Sequence, residues 1–216
     1  MCFFTKQTKK ATEIEFRFNA KFTEPDRFTP ADLINGFTFP ETPVIISEDP
    51  GIIQFFNWGL IPEGSVDDTI RKFTLNARIE TLDEKPSFRE YISSRCLIIA
   101  NGFYEWQWLD KKGDQKQKYE LTLPKEQLFS FAGIWSAWKD PSGNQKFTYS
   151  LLTTKANRLM SEIHNTKKRM PVILSADQEK SWLNNADIDE FRNIDPPLIA
   201  RKIETKNNKT QQPKLF

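Results

Sequence analysis

Cys2 directly follows the initiator methionine, and this position gives it a chemistry that few other residues have. Because a small second residue permits removal of Met1, we expect the mature chain to begin with cysteine. A free α-amine and a thiol would then lie on adjacent carbons. Such a 1,2-aminothiol condenses with an aldehyde: the amine gives a Schiff base, and the thiol closes it to a thiazolidine. Since the α-amine has a pKa of about 8 and the thiol of about 8.5, both need neighbouring groups that take their protons.

Two side chains could move those protons. His164 is the only histidine in the sequence and follows a helical pattern over 156–163. It is either a general acid–base group or a helix C-terminal residue favoured by the helix dipole. Glu105 lies among aromatic residues in a strand pattern over 103–108. It is either a solvent-facing strand residue or a site residue with an altered pKa.

Two polar segments could bind phosphate. Asn76 and Arg78 share one face of an extended segment, so they could hold a phosphate together with a backbone or exocyclic group. The alternative is that Arg78 pairs with Glu80 on that face. The basic run 167–169, directly after His164, is either a solvated turn or a second phosphate contact.

The element pattern predicts a mixed α+β chain dominated by antiparallel strands. Strands are predicted over 43–47, 52–60, 74–80, 96–100, 103–108, 119–123, 128–138, 147–153 and 170–174. Helices are predicted from Pro86, over 156–163 with Thr153 or Thr154 as the cap, and after a capping box at 175–178. We expect one domain over 1–206 and a flexible polar tail over 207–216.

The composition limits the classes of function. The 216 residues carry a net charge of +2 with 38% hydrophobic residues, which suits one sizeable core and excludes a global field that attracts polyanions. Any nucleic-acid surface must therefore be local. Two cysteines and one histidine without close spacing argue against a zinc site, and Cys96 opens an apolar run typical of a buried strand. We expect no metal, no cofactor, no membrane span and a cytoplasmic protein.

Four motifs in order resemble one family. They are Met1-Cys2, the segment from Asn76 to Thr81, Gly102-Phe103-Tyr104-Glu105-Trp106, and Ile163-His164 leading to the segment 169–174. Together they are similar to the SRAP family, the SOS response-associated peptidases, over roughly residues 1–183. The resemblance implies an α+β fold with a bifurcated, barrel-like, mostly antiparallel sheet edged by helices.

The resemblance also implies a function in DNA damage. SRAP proteins bind single-stranded DNA at abasic sites, and their N-terminal cysteine forms a thiazolidine crosslink with the ring-opened sugar. This shields the lesion in the SOS response. For this chain it implies a monomeric, nucleoid-associated crosslinking enzyme without a cofactor. The residues that match the family's catalytic positions are Cys2, Glu105, His164 and Asn76, and those that match its DNA-binding positions are Arg78, Arg169, Thr153 and Pro40.

The chain departs from the family pattern next to its nucleophile. Phe3 and Phe4 stand where the family usually has Gly-Arg, whose arginine helps to bind phosphate. A base that stacks on Phe3 or Phe4 is one way to replace that contact, and a nearby lysine is another. Two other functions stay open: a peptidase, including self-processing, that uses Cys2 as an N-terminal nucleophile, and a non-covalent single-stranded DNA-binding module.

Overall fold

The computed structural model describes residues 2–204, and this part of the chain contains fourteen strands and four short helices. The strands are β1 (Phe4–Gln7), β2 (Lys21–Phe22), β3 (Ala31–Asn35), β4 (Glu41–Ile46), β5 (Asp49–Trp58), β6 (Asn76–Arg78), β7 (Arg95–Ala100), β8 (Gly102–Trp108), β9 (Lys116–Thr122), β10 (Phe129–Lys139), β11 (Gln145–Lys155), β12 (Arg169–Pro171), β13 (Ile173–Leu174) and β14 (Ile199–Ile203). The helices are α1 (Ala11–Phe18), α2 (Pro86–Arg89), α3 (Arg158–Ile163) and α4 (Ala176–Leu183).

Five strands close into a barrel. In the larger sheet the neighbours run β11-β10-β7-β4-β5, and β5 then pairs back onto β11 in parallel, with Tyr149 opposite Trp58. The remaining pairs of this ring are antiparallel. The strand β7 is buried at every position, as its continuous apolar run predicts. Closure leaves no free edge in this ring, so the barrel forms a stable base for the segments attached to it.

The strand β11 exchanges pairing partners towards its C-terminal end, and the sheet branches there. Its first half pairs with β10, and its last residues pair in parallel with β6 and antiparallel with β12. This branch brings two distant segments together, because Leu151 lies opposite Asn76 and Lys155 lies opposite Arg169. The bifurcated, barrel-like, mostly antiparallel sheet that the resemblance implied is confirmed.

A second sheet has the strand order β14-β9-β8-β1-β3. The strand β8 begins directly after β7 of the barrel, and Asn101 between them donates its backbone N–H to Lys6. Thr5 of β1 lies opposite Phe103 of β8 in an antiparallel pair. Because the two strands run in opposite directions, the residues before β1 lie beside the second half of β8, where Glu105 is found.

Several local predictions need correction. The segment 74–80 is a strand only over Asn76–Arg78, and a 3₁₀ turn follows over Ile79–Thr81. The segment 170–174 is divided into β12 and β13. Between them the backbone N–H of Val172 donates to the Leu152 carbonyl. The cap of α3 is Asn157, whose Oδ1 accepts from the Met160 N–H at 2.9 Å. Thr153 and Thr154, predicted as caps, are buried inside β11.

Other local predictions hold. The capping box at Ser175 and Gln178 opens α4 as the sequence indicated, and the helix predicted from Pro86 is α2. The helices lie at the margins of the sheets, and within 2–204 none of them is long and apolar enough to cross a membrane. The tail predicted over 207–216 lies outside the described residues.

Candidate active site between the two sheets

Cys2 lies fully buried just before β1. Its Sγ lies 3.7 Å from the Phe4 carbonyl oxygen, a weak contact for a thiol donor. Burial, and then the negative charge of Glu105, raise the pKa of the Cys2 thiol above its ordinary value. The thiol is therefore protonated at neutral pH, and the carboxylate that influences it is close enough to act on it.

Glu105 lies in β8 with 6% of its surface exposed. Burial raises the pKa of this carboxyl to about 7, and a hydrogen bond from the Trp106 backbone works in the opposite direction. A carboxyl with this pKa is present in both protonation states at neutral pH. It can therefore accept a proton in one step and return it in another, which is the requirement for general acid–base catalysis.

His164 follows the last residue of α3 and is also buried. Its Nδ1 lies 2.8 Å from the Arg169 carbonyl oxygen and 3.2 Å from the Arg169 backbone nitrogen. The two contacts need opposite tautomers, because the carbonyl needs a proton on Nδ1 and the backbone N–H needs a lone pair there. We assign the proton to Nδ1 on the shorter contact, which places the lone pair of the neutral ring on Nε2. Burial, with the charges of Lys167 and Arg169, lowers the pKa of His164 to about 4, so the imidazole is neutral at pH 7.

One open cavity of about 460 Å³ contains Glu105 and His164 in its wall. The other lining residues are Phe3, Phe4, Trp106, Trp108, Lys116, Thr166 and Lys167. The cavity thus combines a titratable carboxyl, an imidazole and two lysines with four aromatic rings. Since Cys2 directly precedes β1 and thus lies beside the second half of β8, its side chain, the Glu105 carboxyl and the His164 imidazole lie in one region.

Asn165 connects the two sheets beside this cavity. Its Nδ2 donates to the Trp108 carbonyl at 2.8 Å, and its Oδ1 accepts from the Trp108 N–H at 3.1 Å. Gln107 adds a hydrogen bond from its Nε2 to the Glu162 carbonyl at 2.9 Å. The sequence did not reveal this role, because a polar residue after a helix is usually an ordinary solvated residue. Only the contact with a strand 57 positions away distinguishes it.

Asn76 lies in the wall of a neighbouring cavity of about 650 Å³, together with Arg78. Both polar atoms of the Asn76 amide are hidden from solvent and have no hydrogen-bond partner among residues 2–204. A buried amide without partners costs roughly 1–3 kcal/mol, so it is rarely retained without a reason. The Asn76 amide is therefore a polar group with unused hydrogen-bonding capacity in the wall of this cavity.

The two predicted phosphate-binding arginines differ in their surroundings. Arg78 is exposed, whereas the Arg169 side chain is 12% exposed and forms a bidentate pair with Glu80. The two N···O distances are 2.9 and 2.7 Å. Glu80 therefore has Arg169 as its partner, in place of the Arg78–Glu80 pair that the sequence left open. Arg169 also donates to the Thr153 carbonyl at 2.6 Å.

The remaining predicted residues, Thr153 and Pro40, do not line the cavity that contains Glu105 and His164. Thr153 is fully buried in β11 and its hydroxyl donates to the Ala77 carbonyl. Pro40 lines a third cavity of about 440 Å³ next to β4, and its carbonyl accepts from the Trp58 N–H. The structure therefore brings Cys2, Glu105 and His164 together, while Asn76, Arg78 and Pro40 line other cavities.

No group of three or more His, Cys, Asp or Glu side chains within residues 2–204 is arranged to hold a metal ion. A family model described as SOS response associated peptidase (SRAP) matches residues 1–210. The chain belongs to the SRAP family. The membership that the four motifs predicted is confirmed.

Relatives of this SRAP chain carry informative names. The "Abasic site processing protein YoqW" of Bacillus subtilis is 45% identical over 150 residues, which are 68% of this chain and 65% of YoqW. The matched region thus spans less than two thirds of that relative. The "Abasic site processing protein HMCES" of Rattus norvegicus is 28% identical over 207 residues, 78% of this chain and 57% of the rat protein.

Solved structures share the SRAP fold seen here. A crystal structure of a Bacteroides thetaiotaomicron protein superimposes with a TM-score of 0.85 at 35% identity, over 94% of this chain and 92% of that one. A Bordetella bronchiseptica protein gives a TM-score of 0.79 at 22% identity, over 94% of this chain and all of that one. The second likeness concerns the fold alone.

Proposed function

We propose that this SRAP protein binds single-stranded DNA at abasic sites and crosslinks to the lesion through Cys2 after removal of Met1. The observation that carries the proposal is the proximity of the Cys2 thiol, the Glu105 carboxyl and the His164 imidazole. The names of its relatives support the same class of DNA substrate. The role would be to shield the lesion as part of the DNA damage response.

The first step joins the α-amine of Cys2 to the ring-opened sugar. The amine nitrogen adds to the C1′ aldehyde carbon, and the resulting carbinolamine loses water to give a Schiff base. Glu105, with a pKa of about 7, supports this step because its carboxylate form can take the proton that the ammonium group must lose.

The second step closes the thiazolidine. The Cys2 sulfur adds to the imine carbon, and the proton of the thiol ends on the imine nitrogen. Because burial raises the pKa of this thiol, ring closure needs a base close to the sulfur. The Glu105 carboxylate fulfils this role, and in its protonated form it can deliver the proton to nitrogen.

His164 acts in ring opening of the sugar. Its imidazole is neutral in the free protein, and Nδ1 is bound to the Arg169 carbonyl. The negative charge of a bound phosphate would raise its low pKa and load Nε2 with a proton. The imidazolium could then donate to the ring oxygen and assist reversal.

The remaining site residues are assigned to the DNA and the adduct. The hidden amide of Asn76 would find its missing hydrogen bonds on the crosslinked nucleotide. Exposed Arg78 would contact a phosphate, and Pro40 would border the DNA strand. Arg169 and Thr153 would support the DNA contacts indirectly, since Arg169 donates hydrogen bonds to Glu80 and to the Thr153 hydroxyl.

The raised pKa of the Cys2 thiol also bears on the peptidase alternative. An N-terminal nucleophile that attacks an amide needs thiolate, which is scarce when the thiol is buried beside a carboxylate. The aldehyde reaction begins on the amine and uses the thiol afterwards, so it fits the observed environment better.

The test is incubation of the purified protein with abasic single-stranded DNA after mass spectrometry has shown loss of Met1. We expect a heat-stable, gel-shifted adduct that undamaged DNA does not give. Cys2→Ala is the matched variant, because it keeps a free α-amine and a small second residue. It should give an adduct only after borohydride reduction of the Schiff base. An equal heat-stable adduct with Cys2→Ala, or none with the wild type, would reject the proposal.

A further inference from the structure

Four aromatic rings form a continuous ridge at the mouth of the cavity that holds Glu105 and His164. Phe3 lies 4.7 Å from Phe37 between ring centroids, Phe37 lies 6.2 Å from Phe4, and Phe4 lies 4.9 Å from Trp106. Phe3, Phe4 and Trp106 line the cavity itself. Phe37 comes from a different segment, the 3₁₀ turn Gly36–Thr38 after β3.

Phe37 is held in an exposed position by its turn. Half of its surface, 51%, is open to solvent, although its ring packs on Phe3. The Gly36 N–H donates to the Phe3 carbonyl at 2.8 Å, and Asn35 Oδ1 accepts from the Phe37 N–H at 3.0 Å. A Cβ on Gly36 would lie 3.1 Å from the Trp58 ring, so a larger residue would require a small shift of this turn or of the ring. Because Phe37 packs against Phe3 and Phe4, its exposed ring belongs to a contiguous apolar patch, and such patches mark interaction sites.

Cations accompany the rings of β8 along the same face. The Lys118 Nζ lies 4.1 Å from the Tyr104 ring and 5.6 Å from the Trp106 ring, and the Lys116 Nζ lies 5.1 Å from the Trp108 ring. Lys116 also lines the cavity. Aromatic faces beside ammonium groups are the combination that single-stranded nucleic acids require, because bases stack while phosphates pair with cations.

We propose that Phe37, with Phe3 and Phe4, forms a stacking platform for the nucleobases next to the abasic position. This inference rests on the proposed function. It adds how the protein positions the DNA strand so that the abasic sugar reaches Cys2. Two of these phenylalanines stand where the family usually has Gly-Arg, so stacking replaces a phosphate contact. The strand would lie with its base-less sugar over the Cys2 region and a neighbouring base on the ridge.

The experiment compares the affinity of Phe37→Ala and wild type for two single-stranded oligonucleotides. One carries a tetrahydrofuran abasic analogue flanked by normal bases, and in the other the flanking nucleotides are tetrahydrofuran as well. The analogue cannot form a crosslink, so fluorescence anisotropy reports binding alone. We expect Phe37→Ala to lose roughly 5- to 100-fold in affinity for the first DNA and nothing for the second. The loss should stay constant as salt rises, since stacking releases no counterions.

Matched variants separate stacking from other causes. Phe37→Tyr keeps the ring and should bind like wild type, whereas Phe37→Leu keeps only the apolar bulk and should bind like Phe37→Ala. Phe16→Ala removes a ring that is 91% exposed on α1 and lines a different cavity, so it should leave binding unchanged. Equal thermal unfolding of all these variants shows that the fold is retained.

Two outcomes would overturn the inference. One is that Phe37→Ala binds both oligonucleotides like wild type, and the other is that it loses the same affinity for both, which indicates contact with the DNA backbone. Failure of the proposed function is distinguishable: wild type would then form no adduct with a natural abasic site, while the effect of Phe37→Ala on base-containing DNA would persist.

Discussion

Burial shifts the pKa values of Glu105 and His164 in opposite directions. It favours the neutral form of each, so the pKa of Glu105 rises to about 7 and that of His164 falls to about 4. In the free protein at neutral pH the imidazole carries no charge and the carboxyl is near its midpoint. These protonation states are the ones that the proposed reaction requires, because its first step removes a proton from the Cys2 amine. In that proposal, the negative charge of bound DNA raises the pKa of His164 and protonates it.

The raised pKa of Glu105 predicts a pH-dependent gain of stability in Glu105→Gln. A carboxyl whose folded pKa exceeds its unfolded value binds a proton more tightly in the native state. Wild type therefore loses stability as pH rises from the ordinary glutamate pKa of 4.5 to about 7. That interval corresponds to about 3 kcal/mol, which the neutral amide does not lose. Thermal unfolding at about pH 5 and about pH 8 should show the advantage of Glu105→Gln widening with pH.

The same variant should be slow in crosslinking. An amide cannot take a proton from the amine or the thiol, so adduct formation with abasic DNA should fall roughly 100-fold or more. Glu120→Gln is unsuitable as a control because Glu120 holds buried Lys6. Glu162→Gln is suitable, since this side chain is exposed near α3. Stability curves of wild type and Glu105→Gln that stay parallel across pH would contradict the assigned pKa.

At this scale the sequence supplied the candidate residues but could not predict their protonation. Cys2, Glu105 and His164 were candidates from residue type and motif. An ordinary thiol pKa was assumed for Cys2, whereas burial and Glu105 raise it. The shift depends on how deeply distant segments cover a side chain, and no local pattern carries that information.

Among the elements, the end of β11 organises the polar part of the site. It pairs with β6 on one side and β12 on the other, and the Arg169–Glu80 pair joins the two flanking segments. Arg169 Nη2 also reaches the Thr153 carbonyl within β11 itself. Since His164 Nδ1 binds the Arg169 carbonyl, the ion pair and the position of the imidazole depend on the same residue.

We expect Arg169→Ala to destabilise the fold by about 2 kcal/mol at neutral pH, because it leaves a half-buried Glu80 without its bidentate partner. Arg169 also lowers the pKa of Glu80 against the effect of burial. A depressed carboxyl pKa stabilises above the unfolded value, and this contribution is lost as pH falls through the folded pKa. The cost of Arg169→Ala, measured by urea unfolding, should therefore shrink in acid.

Glu80→Gln separates the structural role of Arg169 from DNA binding. It removes the ion pair but keeps the arginine cation, so affinity for single-stranded DNA should stay equal or rise. Arg169→Ala should lower both stability and affinity if Arg169 also contacts phosphate. A double variant as unstable as the sum of the two single variants would show that the pair contributes nothing, which would contradict the assignment.

Element positions were predicted well where the hydrophobic pattern is long and less well near the branch. The buried runs of β7 and β10 are where the sequence placed them. The segment 74–80 looked like one strand because its polar and apolar residues alternate, but only three residues find a partner on β11. Thr153 and Thr154 looked like helix caps because they precede an amphipathic pattern. The strand continues through them, so Asn157 caps the helix instead.

Considered as a whole, the molecule divides the site between its two sheets. The smaller sheet supplies Cys2 through β1 and Glu105 through β8, whereas the sheet that contains the barrel supplies Asn76 in β6 and Arg169 in β12. His164 lies on the connection between α3 and β12. The position of His164 relative to Glu105 therefore depends on the hydrogen bonds between this connection and β8. Sequence cannot reveal these hydrogen bonds, because the residues that form them are more than fifty positions apart.

Asn165 supplies two of these hydrogen bonds, and Asn165→Ala tests their importance. The side chain is exposed, so the loss of its two hydrogen bonds to Trp108 should cost only about 1 kcal/mol of stability. The position of His164 relative to Glu105 would loosen, and a misplaced catalytic group reduces rates steeply. We expect crosslinking to abasic DNA to slow roughly 10- to 100-fold while affinity for the uncrosslinkable analogue is unchanged.

Asn144→Ala is the matched control for this variant. Asn144 is an exposed asparagine whose Nδ2 donates to Asp140 Oδ2 at 3.2 Å in the β10–β11 hairpin. This variant loses one side-chain hydrogen bond, against two in Asn165→Ala, so it should cost less stability and leave the crosslinking rate unchanged. Asn165→Asp keeps the acceptor for the Trp108 N–H and loses the donor to its carbonyl, so its rate should lie between wild type and Asn165→Ala. Hydrogen exchange at the Trp108 amide should accelerate in the same order. If exchange accelerates while the rate stays at the wild-type value, then the catalytic geometry is held by the barrel and the second sheet without Asn165.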